Sequence, residues 1–204
     1  MLVEGAPGFA EKDKILYKLF YKHQQLSTFY YFLSGYSNNF TLQHVQSLDG
    51  ETPFYIGFND FTYFSRIRKK INLAFRLRLG LSSNEESPFA PFVLDSYLNI
   101  RGVGNKVDRG TGTIVLNAEY RHSAFDREKI AMQLVGFIDA GTWRAPGGNF
   151  NDFSKLRNQE YFGGVGFRLI HKKIHNAIFR LDYGIDLKNP SAGNGIVFGL
   201  GQYF

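Results

Sequence analysis

Apolar and polar side chains alternate residue by residue through much of this chain. Over 71–81 the odd positions are Ile71, Leu73, Phe75, Leu77, Leu79 and Leu81, and the even ones are Asn72, Ala74, Arg76, Arg78 and Gly80. Over 177–187 the odd positions are Ala177, Phe179, Leu181, Tyr183, Ile185 and Leu187, set against Arg180, Asp182, Gly184, Asp186 and one apolar intruder, Ile178. A period of two sends successive side chains to opposite faces of a strand, so each segment reads as a strand with one apolar and one charged face. Segments 15–22, 27–36, 60–67, 114–121, 130–143, 161–170 and 195–204 follow the same rule with varying strictness. That gives nine predicted strands, most near the ~9–11 residues with which a tilted strand crosses a bilayer. No linker or solenoid repeat interrupts them, so 1–204 reads as a single domain.

The connections say which face meets which solvent. Short basic turns at 66–70 and 171–175 alternate with long Gly/Asn/Pro/Ser-rich loops near 37–58, 82–112, 144–159 and 188–194. Alternating short and long connections are the habit of outer-membrane barrels, whose turns face the periplasm and whose loops face outward. On that count Phe204 falls at the periplasmic end. The arginines at 76, 78, 121, 168 and 180 all fall on the polar face. On a lipid-facing surface each would cost about 2–4 kcal/mol at mid-bilayer, so their placement predicts an apolar face toward lipid and a charged face toward the lumen. The opposite assignment, apolar face inward, describes a soluble lipid-binding β-barrel.

Composition narrows the classes. The 204 residues include 21 Phe, 12 Tyr and 22 Gly but no Cys, which removes a disulfide framework, a thiolate metal site and a Cys nucleophile. The aromatic content excludes disorder, and no stretch reaches the ~18 apolar residues of a spanning helix. The mean hydropathy of −0.24 has a soluble look, but alternation averages an apolar face with a charged one. The start, Met1-Leu2-Val3-Glu4-Gly5, has no secretory pattern, so if the chain works outside the cytoplasm it is expected to be a fragment or a mature form. The net charge of +6 is divided between turns and alternate strand positions, which does not predict a nucleic-acid surface. His171 and His175 have i, i+4 spacing but lie in a basic turn without carboxylates, so no metal is predicted. Gly102-x-Gly104 and Gly110-x-Gly112 lack the strand, helix and Lys-Ser/Thr of a phosphate loop. Asp139 alone has no nucleophile or oxyanion donors to make an enzyme. No cofactor is expected.

Four stretches carry a resemblance. Residues 98–104 read Leu-Asn-Ile-Arg-Gly-Val-Gly, residues 112–121 read Gly-Thr-Ile-Val-Leu-Asn-Ala-Glu-Tyr-Arg, residues 134–141 read Leu-Val-Gly-Phe-Ile-Asp-Ala-Gly, and the chain closes on Gly201-Gln202-Tyr203-Phe204. In that order they resemble the C-terminal part of the BamA/TamA-type barrels, the bacterial surface-antigen superfamily. Arg101 and Gly102 match the loop motif hydrophobic-Arg-Gly-aromatic, with Val103 where the aromatic belongs. Phe137, Asp139 and Gly141 match Phe-x-Asp-x-Gly, and Asn117, Glu119 and Arg121 match Asn-x-Glu-x-Arg. Arg180 and Asp182 resemble the penultimate strand.

The resemblance implies a transmembrane antiparallel β-barrel in the bacterial outer membrane, of sixteen strands, with these nine as its last. It implies a role in outer-membrane protein insertion, assembly or translocation. The implied partners are outer-membrane lipids, client outer-membrane proteins, accessory lipoproteins and the missing N-terminal barrel strands. A passive channel and a two-partner-secretion-type transporter are the alternatives. It further implies that the long loop, about 82–112, folds into the lumen and docks Arg101 on the wall. Alternation places Glu119 and Asp139 on that face, so Arg101 is expected to pair with Glu119, Asp139 or both. Gly102 is expected to let the loop tip approach closely or take a positive φ, and Gly141 to leave space beside it. Gly195, Gly199 and Gly201, with Phe204, are expected to form a weak last strand at a seam.

Overall fold

A computed structural model describes residues 13–204 apart from 30, 49, 51, 85–88, 97, 105–107, 175–176 and 192. The strands are β1 (Lys14–Phe29), β2 (Phe32–Ser47), β3 (Phe54–Arg68), β4 (Ile71–Ser82), β5 (Phe92–Leu94), β6 (Asp108–Gly110), β7 (Gly112–Asp126), β8 (Ile130–Arg144), β9 (Gln159–His171), β10 (Ile178–Asp186) and β11 (Asn194–Leu200). Nine form one antiparallel sheet in the order β1-β2-β3-β4-β7-β8-β9-β10-β11, and β5 and β6 form a separate small hairpin inside the long connection. Every neighbour follows in sequence except across that hairpin, so the sheet is an up-and-down meander. Among the described residues it does not close: β1 and β11 are its two edges. With nine strands alternating in direction, the two edges run the same way, and joining them directly would require a parallel seam.

Three sequence expectations fail, the third at the C-terminal strand. Residues 27–36 are not a strand but the end of β1, a tight connection and the start of β2, with Phe29 paired to Phe32. The sequence over 29–32 is wholly aromatic, with no Gly, Asn or Pro to announce a turn, so it masks the β1–β2 hairpin. Residues 37–58 are not a long loop: β2 extends to Ser47 and β3 begins at Phe54. The Asn- and Gln-rich composition of β2 hides its period, and ladders to β1 and β3 on both sides override its weak propensity. The connections alternate only in part. Those after β1, β3 and β7 are the shortest and those after β4 and β8 the longest, whereas those after β2, β9 and β10 are of similar intermediate length.

Burial is inverted relative to a soluble sheet. On β8, Ala131, Gln133, Val135, Phe137 and Asp139 are buried, whereas Leu134 and Ile138 on the opposite face are exposed, Ile138 at 59 %. The pattern repeats through β4, β7, β9 and β10 and ends on Ile196, Phe198 and Leu200 of β11. Each large apolar side chain left in water forgoes about 1.5–3 kcal/mol of burial. The other face carries Asn72, Asn117, Arg121, Gln133, Asp139, Arg168 and Asp182, all fully buried. Charged residues are seldom so buried unless paired.

Three elements cover this polar face. The β1–β2 connection reaches across the short-turn end: Tyr31 and Phe32 pack against Ala131, Ile170 and Ile178, and the Tyr31 hydroxyl donates to Asp126 at 2.9 Å. The segment 89–104 lies over β4, β7 and β8. The last residues leave the sheet at Gly201, whose φ of 87° suits glycine, and fold beneath it. The predicted strand 195–204 is therefore β11 alone, and Gly201 and Phe204 are not part of it.

Candidate functional site

The site grows from the segment 89–104. Phe89 and Phe92 join Val45, Phe54 and Ile56, while Leu94 and Ile100 join Val115, Trp143 and Phe162. Between these anchors the chain turns on Asp95, whose Oδ1 accepts from Leu98 N–H at 2.8 Å and whose carbonyl accepts from Ile100 N–H at 2.9 Å. The Asn99 amide donates to the Val93 carbonyl at 2.7 Å, and Asn117 of β7 donates to the Asn99 carbonyl at 2.7 Å. Arg101 is thereby delivered to the middle of the polar face.

Arg101 is fully buried. Its Nε donates to Asp139 Oδ2 and its Nη2 to Asp139 Oδ1, both at 2.8 Å, and its backbone N–H adds a third bond to Oδ2 at 3.0 Å. Nη1 donates to Glu119. Its Cζ lies 3.7 Å from the Phe137 ring centroid and 4.1 Å from that of Tyr203, within cation–π range of both. Of the two partners left open by the sequence, both are engaged. Burial acts to neutralise the guanidinium, but Glu119, Asp139 and Asp182 outweigh it and hold the Arg101 pKa above its ordinary value.

The pair extends into a network. Arg121 Nε donates to Glu119 Oε2 at 2.6 Å, and Arg168 Nη1 donates to Asp182 Oδ1 at 2.6 Å. Arg180 Nε stands 3.7 Å from Asp182. The guanidiniums of Arg101, Arg121, Arg168 and Arg180 thus face the carboxylates of Glu119, Asp139 and Asp182. Asn117 also donates to Asp139 at 2.9 Å, completing its acceptor set. A second clamp, Arg76 bidentate on Asp60 with Arg78 beside it, donates to the Leu98 carbonyl from the neighbouring strands.

Glycines make the approach possible. Gly102 has a φ of 95°, and a Cβ there would stand 2.8 Å from Gly184 Cα. A Cβ on Gly195 would stand 2.8 Å from the Gly102 carbonyl oxygen, so Gly102, Gly184 and Gly195 bring three backbones together. A Cβ on Gly141 would meet Ile100 Cδ1 at 2.5 Å and Leu94 Cδ2 at 2.8 Å. Gly199 leaves room for Arg180, whose Nη2 would lie 2.6 Å from a Cβ. Gly195 and Gly199 thus answer to the packing of this face, a reason separate from the weak pairing expected of them.

The C-terminal residues, expected on a strand, belong to this cluster instead. The Phe204 carbonyl accepts from Arg121 Nη2 at 3.1 Å, that of Gln202 accepts from Arg180 Nη1 at 3.3 Å, and the Gln202 amide donates to Gln133 at 3.0 Å. The Tyr203 phenol has its pKa raised by burial, with Asp139 adding to the effect and Arg101 opposing it. Tyr203, Arg168, Asn99 and Gly184 are the contributors that sequence motifs did not single out. Only Arg168 and Gly184 had a signal, their parity on the polar face.

Chemically this is a clamp. Each carboxylate is engaged by guanidinium groups, and its network fixes one loop and one terminus to the sheet. Among the described residues no cluster of His, Cys, Asp or Glu is arranged to hold a metal. His175, paired with His171 in the sequence reading, lies outside the described residues. No family model, no curated protein and no solved structure matches this chain.

Proposed function

We propose that this chain is the membrane-embedded part of a bacterial outer-membrane β-barrel of the BamA/TamA type and serves insertion or assembly of other outer-membrane β-proteins. One observation carries the reading: the sheet exposes its apolar face and buries a charged one, which the Arg101 segment closes. Such a sheet is stable where the exposed face meets hydrocarbon, because lipid removes from water the side chains that the fold itself leaves outside. A soluble lipid-binding barrel requires the reverse orientation. A passive channel requires an open polar interior, whereas segment 89–104 and residues 201–204 occupy this one.

The insertion role rests on the edges. β1 offers sixteen residues of edge strand and β11 seven, and an edge in a bilayer must find backbone partners, since unpaired amides are costly there. A client strand pairing by β-augmentation meets that need without cofactor or covalent chemistry. The same edges accept the additional barrel strands that the sequence resemblance implies, and an odd number of them makes the seam antiparallel.

The test is catalysed folding. The chain, reconstituted into vesicles, is mixed with an unfolded outer-membrane barrel protein, and the client's heat-modifiable folded band is followed over time. Faster client folding than in empty vesicles supports the proposal. Equal rates, with the chain demonstrably embedded, contradict the insertion role and leave the membrane location standing.

A further inference from the structure

The exposed apolar face is not uniform. Across β7, β8, β9 and β10 it is hollowed into an open groove of about 590 Å³. Its floor is the cross-strand row Tyr120, Gly136, Val165 and Tyr183. Gly136 causes the hollow: nothing lies within 4 Å of where its Cβ would stand. Leu134 and Phe167 form the next row toward the short turns.

Those turns are basic. Residues 126–130 and 171–174 lie side by side, joined by Lys172 N–H donating to the Lys129 carbonyl at 2.8 Å, by the Lys172–Asp126 ion pair and by Lys173 to Glu128 at 3.7 Å. They set Arg127, Lys129, Lys172 and Lys173 against Asp126 and Glu128, an excess of cations directly beyond the groove's own four strands. Six residues separate Ile130 at the turn from Gly136, about 20 Å along the strand. On a strand tilted ~45° this is roughly 14 Å of depth, about half of the ~30 Å hydrocarbon core.

We propose that groove and turns together form a binding site for one anionic phospholipid, its phosphate on the basic turns and an acyl chain lying over Gly136. This rests on the membrane reading above. Charge complementarity selects the headgroup, and a chain in the hollow restores the dispersion contacts that a missing side chain leaves unmade. The depth from turn to groove matches one leaflet, which a free phosphate or a soluble anion does not exploit.

The experiment reconstitutes the chain in mixed vesicles of phosphatidylglycerol and phosphatidylcholine, transfers it to detergent and measures the retained lipid by mass spectrometry. Wild type is expected to retain phosphatidylglycerol in preference to phosphatidylcholine. Arg127→Ala and Lys129→Ala, both on exposed turn residues, are each expected to lower that preference about five-fold. Gly136→Phe, which fills the groove, is expected to lower the amount retained while leaving the headgroup preference of the remainder unchanged. Equal retention of both lipids by wild type overturns the site, as does a preference unaltered in both turn variants or an undiminished amount retained by Gly136→Phe. Failure to associate with vesicles of either lipid overturns the membrane reading itself and the site with it.

Discussion

Arg101 and Asp139, thirty-eight residues apart, form a bidentate ion pair with both hydrogen bonds at 2.8 Å and no exposure of either side chain. The pair joins the tip of the inward loop to the centre of β8. Replacing Arg101 by Ala leaves Asp139 buried and without its principal cation, which costs about 3–5 kcal/mol when one partner of a buried pair is removed. Arg101→Lys restores the charge but not the planar fork, so it should recover only part of the loss. Unfolding of the two variants in urea checks this, and equal midpoints for wild type and Arg101→Ala would refute it.

Close backbone approach gives a second prediction. Gly102→Ala combines an unfavourable φ of 95° with a Cβ 2.8 Å from Gly184 Cα, whereas Gly104→Ala, at φ 71°, meets nothing within 4 Å. The Gly104 change should cost about 1–2 kcal/mol from the left-handed backbone alone. The Gly102 change should add an overpacking penalty of about 1–3 kcal/mol and loosen the loop. Limited proteolysis within 89–104 reports the loosening, and similar cleavage of both variants would argue against a backbone contact there.

The two faces of β7 should respond oppositely to charge. Leu116→Arg places a cation on the apolar face and is expected to cost about 2–4 kcal/mol in a bilayer. Arg121, on the other face of the same strand, already carries such a charge fully buried and bonded to Glu119. The yield of membrane-inserted, protease-resistant chain is the readout. A normal yield for Leu116→Arg would mean that this face is not in hydrocarbon.

Alkaline pH should weaken the C-terminal plug through Tyr203. Burial raises the folded pKa of this phenol above its unfolded value. The stabilisation of the neutral form is then fully present below about pH 10 and is lost as pH rises through the folded value. Tyr203→Phe removes the ionisation and should lose less stability between about pH 8 and 11 than wild type does. Equal alkaline losses in the two proteins would place the effect on other tyrosines.

Much of this architecture was legible because parity is a strong signal. The alternation around Arg76, Arg121, Arg168 and Arg180 places each guanidinium on one face, and the motif residues Asn117, Glu119 and Asp139 fall on that same face. What remained hidden is non-local. The sequence joining β1 to β2 offers no turn residue, and β2 lacks an apolar period, so only their ladders reveal them. The final residues alternate like a strand through Tyr203, yet Gly201 diverts them beneath the sheet, where Tyr203 meets Arg101 and Phe204 meets Arg121. Parity places Gly184 on the polar face, but the need for glycine there is explained only by the loop that crosses it.

The chain contains no cysteine, so single cysteines report their surroundings without interference. Ile138→Cys sits on the apolar face of β8, and Leu156→Cys lies in the connection after β8 at 76 % exposure. With the protein reconstituted in vesicles, a water-soluble maleimide is predicted to label Leu156→Cys and to spare Ile138→Cys until denaturant is added. Equal labelling of the two in intact vesicles would contradict the central claim that this sheet turns its apolar face to lipid.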